Sequence, residues 1–133
     1  MRKALKVLGV VFILFVALGA AMIMEFSRTD RVISATDVDP VGIGAILASL
    51  PDGTYAGEFH PGRFVGATVA VHVQGHRINA IDIIEHNYGQ GKPAESITAS
   101  VILRQGLDVD VVSGATVSSK VILVAVENAL RRR

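Results

Sequence analysis

The residues best suited to chemistry in this chain lie near its C-terminal end, in the sequence Asp-Val-Val-Ser-Gly-Ala-Thr at positions 110–116. Ser113 is a favourable N-cap for the apolar helical run that follows, so we expect the next three residues in the first helical turn. Unpaired amide groups and the positive end of the helix dipole favour a phosphate there. Gly114 and Ala115 leave room for its approach, and Thr116 offers a hydroxyl that can be esterified.

This stretch resembles the flavinylation motif of the FMN-binding domain family, which includes the flavin subunits of sodium-pumping NADH:quinone reductase and of Rnf redox complexes. In that family an Asp, three residues and then Gly-Ala-Thr are read by a flavin transferase, and the threonine becomes joined to FMN through a phosphoester bond. The resemblance implies attachment at Thr116, with Asp110 serving recognition. It departs at Val111, where family members often have a small residue.

The resemblance covers roughly residues 52–130. Its recurring features follow in order: Asp-Gly-Thr-Tyr at 52–55, a segment at 62–73, His86, and Ala-Glu at 94–95. It also implies that hydroxyls in the first turn of the last helix hydrogen-bond the flavin or its phosphate. The candidate FMN-binding residues are Asp110, Ser113, Gly114, Ala115, Thr116, Ser118, Ser119 and His86.

A threonine hydroxyl needs a base or a metal before it attacks phosphorus. The resemblance therefore implies a separate flavin transferase carrying its own metal, with this chain as its substrate. We predict no catalytic residue and no metal ligand in the chain itself. A second Gly-Ala-Thr, at 66–68, lacks the upstream Asp and Ser and lies in an alternating strand pattern, so we do not expect a flavin there.

Length and composition limit the number of domains, the kinds of cofactor site and the kinds of partner. The 133 residues allow one modest domain with length to spare for an anchor. The absence of cysteine excludes thiolate metal sites, iron–sulfur ligation by this chain and haem attachment through a Cys pair. Residues 25–130 hold seven basic and twelve acidic residues, a net charge of −5. A nucleic-acid binder would show a basic face, so we expect no nucleic-acid partner.

Residues 7–24 form a run of eighteen uncharged, nearly all apolar residues. As a helix they span about 27 Å, close to the thickness of a membrane's hydrocarbon core. The basic cluster at 2–6 predicts a cytoplasmic N-terminus and an extracytoplasmic domain at the cell membrane. A cleaved signal peptide is the competing interpretation, with small residues at 17–21 as cleavage context. The apolar run continues through 22–24, which favours an uncleaved anchor.

Residues 25–50 are predicted to be a tether. Its first part, 25–40, is polar and broken, and 41–50 is a possible short helix weakened by two glycines. Pro-Asp-Gly at 51–53 is a turn that opens the folded domain. The predicted domains are the transmembrane anchor 1–24, the tether 25–50 with its possible short helix, and the FMN-binding domain 51–133.

Residues 54–85 carry the pattern of an antiparallel meander of about three strands. Apolar residues at odd positions from 65 to 73 alternate with smaller or polar ones, which is typical of a half-buried strand. Gln-Gly-His-Arg supplies the reversal, and 78–84 is the partner strand, with Ile81 and Ile83 on one face.

Two helices are predicted after the sheet. Pro93 and Gly106 frame a helix at 94–105, and 107–112 is predicted to be a short strand. The last helix is predicted from about 114 to 131. Ile97, Val101, Val117, Val121, Val124 and Ala125 are predicted to face inward. The result is an α+β fold, an antiparallel β meander followed by two helices packed on one face, preceded by a single N-terminal transmembrane helix.

The histidines leave alternatives open. His86 precedes the glycine-rich segment 87–92 and could line the flavin site, donate to the phosphate, cap a strand end or lie in a solvated loop. His72 and His76 flank the hairpin on one face, and with no carboxylate evident beside them we predict no metal site there. His60 is predicted to be a turn residue.

Three functions are consistent with these observations. The first is a membrane-anchored electron carrier that exchanges electrons with a membrane redox partner or with other flavin-domain proteins. The second is a non-enzymatic exported accessory or sensing module with weak or no FMN binding. The third is an oxidoreductase acting directly on a small acceptor. No dinucleotide fingerprint is present.

Overall fold

The computed structural model describes residues 2–87 and 91–131. The helices and strands, in chain order, are α1 (Arg2–Ala35), α2 (Ile43–Ser49), β1 (Gly53–Phe59), β2 (Gly66–Gln74), β3 (Arg77–Asn87), a 3₁₀ turn (Lys92–Ser96), α3 (Ile97–Arg104) and α4 (Thr116–Arg131). The strands form one antiparallel sheet in the order β1-β2-β3, and α4 packs on it. The predicted α+β fold with an N-terminal apolar helix is confirmed.

The sheet follows from side-chain alternation and one tight turn. Along β2, Ala67, Val69, Val71 and Val73 are buried while the residues between them are half-buried, as the period-2 pattern predicts. The reversal to β3 is a two-residue turn in which Gly75 and the residue after it both have positive φ, of 58° and 60°. Such turns match the natural twist of paired strands.

Helix α4 covers one face of the sheet and is buried on almost every side. It contacts β1 and β2 on one side and parts of α1, α2, α3 and the 3₁₀ turn on others. The predicted inward residues Val121, Val124 and Ala125 are buried. Val117 is not: it is 40% exposed, although Ser118 and Ser119 in the same turn are buried.

Strand β1 lies unusually close to α4 at Gly57. A Cβ atom added to Gly57 would meet the backbone of Ala125 and Ala129, with the Cα of Ala129 only 2.7 Å away. Helix backbone moves aside far less easily than the end of a side chain. The absence of a side chain at Gly57 therefore sets how closely the helix and sheet approach.

The region between the sheet and α4 differs from the prediction in two ways. The single helix at 94–105 is a 3₁₀ turn followed by α3, with Ile97 and Val101 buried as predicted. It ends at Gln105, which takes the left-handed conformation (φ 56°) in place of Gly106.

The predicted strand at 107–112 is wrong, because this segment is irregular. The Gln105 side-chain amide accepts a hydrogen bond from the Ile78 amide (2.7 Å) and donates one to the Ile78 carbonyl (2.8 Å). These are backbone groups of β3 that a neighbouring strand would otherwise bond. The side chain thus occupies that part of the sheet edge.

Helix α1 is longer than the predicted anchor and continues without the predicted break through Ala35. Its 34 residues span about 51 Å, well over the ~30 Å of a hydrocarbon core. Residues 6–35 are long and apolar enough to be a candidate membrane span. The apolar part is exposed, whereas Thr29 and Ile33 are buried against the domain. The last turns of α1 therefore belong to the folded body.

The rest of the predicted tether is also attached to the domain. The predicted short helix is present as α2, with Ile43 and Leu47 in the core. Asp39 accepts a hydrogen bond from the Arg131 guanidinium at 2.8 Å, which links this segment to the end of α4. The domain boundaries at 24 and 50 remain predictions.

The close approach at Gly57 predicts a large effect of one methyl group. Gly57→Ala should lower the free energy of unfolding by about 1–3 kcal/mol or more, because helix backbone must shift. Gly44→Ala in α2 meets open space and should raise it by about 0.4–1 kcal/mol. Urea unfolding of the full chain in detergent micelles measures both. Equal stabilities of the two variants would contradict this account of the packing.

Candidate functional site

The start of α4 is defined by Ala115, not by Ser113. The Ala115 amide donates to the Val112 carbonyl at 2.9 Å, and its own carbonyl accepts the first helical bond, from Ser119, at 2.9 Å. Thr116 is therefore the first helical residue. The predicted N-cap role of Ser113 is wrong, because Gly114 reverses the chain with a φ of 79°. Ser113 lies exposed in the turn.

The hydroxyl of Ser119 holds this turn in place. It donates to the Ala115 carbonyl at 2.8 Å and accepts from the Val112 amide at 3.0 Å, and the side chain is fully buried. Both bonds tie the incoming chain to the first turn of α4. Ser119 thus positions the residues between them, Thr116 among them.

A cavity of about 360 Å³ opens beside the start of α4. Thr116 is exposed at its edge, and Ser118, only 4% exposed, lies in its wall. The amides of the first three residues of α4 have no acceptor within the helix. The hydroxyl of Ser118 makes no hydrogen bond to any residue in the described ranges. The lining residues are Phe26, Thr29, Asp30, Ile33, Phe64, Val65, Gly91, Gly114, Ala115, Thr116, Val117 and Ser118.

A second wall of the cavity comes from α1, a helix that lies outside the residues predicted for the site. Phe26, Thr29, Asp30 and Ile33 are spaced i, i+3, i+4 and i+7, so they share one helical face. This spacing is present in the sequence, but the polar residues of 25–40 predict a broken segment and so obscure it. Phe64, from the loop between β1 and β2, was also missed.

Helix α1 and that loop are in direct contact. A Cβ atom added to Gly62 would meet the hydroxyl and methyl of Thr29, so the loop passes α1 only because Gly62 has no side chain. The Thr29 hydroxyl donates to the Glu25 carbonyl one turn earlier, at 3.0 Å. The position of α1, and hence the width of the cavity, depends on this contact.

His86 lies outside the cavity lining, near the end of β3. Its ring is 2% exposed, and Nδ1 lies 3.2 Å from the Glu95 carboxylate, which also accepts from the Lys92 ammonium at 3.1 and 3.2 Å. The hydrogen bond with His86, followed by that with Lys92, lowers the pKa of Glu95 below its ordinary value of 4.5. Residues 88–90 of the glycine-rich segment lie outside the described residues. Gly91, just after them, reaches the cavity.

The predicted site residues fall into two groups. Gly114, Ala115, Thr116 and Ser118 line the cavity. Asp110 and Ser113 are exposed in the segment before α4, and Ser119 and His86 lie outside the lining. The predicted flavin contacts of all eight remain predictions.

Two other motifs of the sequence lie in or beside the sheet. Thr68 of the second Gly-Ala-Thr lies in β2 as predicted, and its hydroxyl is 3.1 Å from His60. His72 has a carboxylate after all, Asp82 at 2.7 Å, and its other ring nitrogen is 2.9 Å from the Thr54 hydroxyl. In the described part of the chain, no group of three or more His, Cys, Asp or Glu could hold a metal ion.

A family model described as the FMN-binding domain matches residues 62–131. The chain belongs to the FMN-binding domain family. The match covers the Gly62 loop, β2, β3, α3 and α4, and therefore the Thr116 side of the cavity. It does not cover α1. No curated protein matches the chain. The protein is an FMN-binding domain with an N-terminal helix that is a candidate membrane span.

The role of Ser119 predicts different effects for adjacent serines. Ser119→Ala should cost about 1–3 kcal/mol of unfolding free energy, because the Val112 amide loses its acceptor. Ser118→Ala removes a hydroxyl without a described partner and should be neutral or slightly stabilising. Urea unfolding gives the free energies, and hydrogen exchange at the Val112 amide reports the local effect. Unchanged protection of that amide in Ser119→Ala would contradict the role.

Proposed function

We propose that this protein is a membrane-anchored, extracytoplasmic flavoprotein that carries FMN on Thr116 through a phosphoester and relays electrons. The observation that carries this proposal is the position of Thr116. It lies exposed at the first residue of α4, at the edge of a cavity of about 360 Å³, in a chain of the FMN-binding domain family.

The residues around the cavity fit FMN. The free amides at the start of α4 and the Ser118 hydroxyl suit a phosphate. Lys120, one turn after Thr116, adds a positive charge on the same side of the helix. The cavity volume falls within the range of small-molecule sites, and most of its remaining lining is apolar, as a flavin ring requires.

Attachment needs an activated donor and an external enzyme. The Thr116 oxygen forms a bond to the FMN phosphorus, and its proton passes to a base of the transferase. The P–O bond to a leaving group breaks, and that group leaves with the electron pair. A donor in which the FMN phosphate is part of a phosphoanhydride supplies the leaving group. Because a threonine hydroxyl needs a base or a metal before it attacks phosphorus, a separate flavin transferase is the partner that this step requires.

Bound FMN supplies reversible one- and two-electron chemistry, and the chain holds it in place. The start of α4 fixes the phosphate end, and the apolar walls exclude water from the other end. The basic residues before the apolar part of α1 favour a cytoplasmic N-terminus, which puts the domain outside. A membrane redox partner, or another flavin-domain protein, would then be the source or acceptor of electrons.

The attachment is tested by fluorescence on a denaturing gel. The full chain is co-expressed with a flavin transferase in a host that exports it, as wild type, Thr116→Ala and Thr68→Ala. We expect a fluorescent band for wild type and Thr68→Ala and none for Thr116→Ala, because only the Thr116 oxygen is esterified. A band in Thr116→Ala would move the attachment elsewhere. No band in any variant would favour an accessory module without covalent FMN.

A further inference from the structure

Two phenylalanines that line the cavity are exposed. Phe26 of α1 is 70% exposed and Phe64 of the β1–β2 loop is 54% exposed. Both line the cavity, Phe26 from α1 and Phe64 from the loop that contacts α1. Large apolar groups gain free energy when they leave water, so two exposed rings beside one cavity indicate a surface that an apolar ligand covers.

The Thr116 end and the α1 end of this cavity differ in polarity. The Thr116 end offers backbone amides and the Ser118 hydroxyl, whereas Phe26, Ile33, Phe64 and Val65 supply apolar surface. FMN tethered at Thr116 matches this arrangement, because its charged phosphate would lie at the polar end and its planar ring at the apolar end. Aromatic side chains pack favourably against such rings in stacked or edge-on arrangements.

We propose that Phe26 and Phe64 bind the isoalloxazine ring of FMN, so that one wall of the flavin site is the membrane helix itself. This inference rests on the proposed attachment at Thr116. It assigns a binding role to α1, which lies outside the residues that match the family model. It also places the redox-active ring beside the helix that enters the membrane, within reach of a partner at the membrane surface.

The negative charge of Asp30 should affect the midpoint potential of a flavin ring bound in this cavity. Its side chain lines the cavity one turn after Phe26, and no hydrogen bond or ion pair joins it to another residue in the described ranges. A negative charge beside the ring disfavours the addition of electrons. Asp30→Asn should therefore raise the midpoint potential of the flavin.

The contact of Gly62 with Thr29 allows a test that leaves the lining side chains unchanged. Gly62 is not part of the lining, yet any side chain there must push the loop away from α1. Gly62→Ala should widen the cavity and expose the ring. It therefore serves as a second variant that is independent of both phenylalanines.

The test measures how accessible the bound flavin is to iodide, a collisional quencher of its fluorescence. The full chain, flavinylated by co-expressed transferase, is reconstituted in phosphatidylcholine vesicles. Because a pocket buries most of a ligand's surface, losing one wall should raise the quenching constant about twofold or more. We expect this for Phe26→Ala, Phe64→Ala and Gly62→Ala. Phe15→Ala, an exposed phenylalanine in the membrane part of α1, is the matched control and should equal wild type.

The outcomes separate this inference from the attachment itself. Fluorescent bands on a denaturing gel for every variant, with unchanged quenching in Phe26→Ala and Phe64→Ala, would overturn the ring site and leave the attachment standing. An equal rise of the quenching constant in Phe15→Ala would also overturn the ring site. So would release of Phe26→Ala from the vesicles without a change in quenching, because Phe26 would then be a membrane anchor. No band for wild type would overturn the attachment and the ring site together.

Discussion

The buried hydroxyl of Ser119 is the interaction on which the geometry of the site depends. By bonding both the Val112 amide and the Ala115 carbonyl, it fixes the chain as it turns into α4. Gly114 supplies the left-handed residue that this turn requires. The combination leaves Thr116 as the first helical residue, with its hydroxyl exposed and three helix amides beside it. Ser119 thus positions the start of α4, and its predicted contact with the flavin stays a prediction.

The second constraint is the fit of α4 between the sheet and α1. Gly57 lets β1 approach the helix backbone, and Gly62 lets the β1–β2 loop approach α1. Both glycines act by lacking a side chain at a point of close contact. Together they place the start of α4 opposite the last turns of α1, and the cavity lies between them. Helix α1, the candidate membrane span, and the domain therefore line one cavity together.

Features governed by local chemistry were predicted well. The alternation along β2, the turn before β3 and the buried face of Ile97 and Val101 all follow from periodicity and turn residues. The Thr116 motif was identified by its resemblance to the flavinylation motif of the family, and the helix predicted to follow it is present as α4. These signals need no knowledge of distant parts of the chain.

Features that depend on distant contacts were missed. Ser113 has the right chemistry for an N-cap, but the backbone conformation of Gly114 moved the helix start to Thr116. The strand at 107–112 does not form, since Gln105 bonds the edge of β3 at Ile78. The wall formed by α1 was overlooked although its helical spacing was present, because polar residues after position 24 resemble a linker until the domain against which they pack is known.

Mass spectrometry of the purified, flavinylated protein tests the central claim most directly. Cleavage after basic residues releases residues 105–120, which contain Thr116 together with Ser113, Ser118 and Ser119, and separately residues 64–77, which contain Thr68. The account predicts that the first peptide gains the mass of one FMN less one water, and that fragmentation assigns it to Thr116. The same gain on one of the serines, on the peptide with Thr68, or on neither peptide would contradict it.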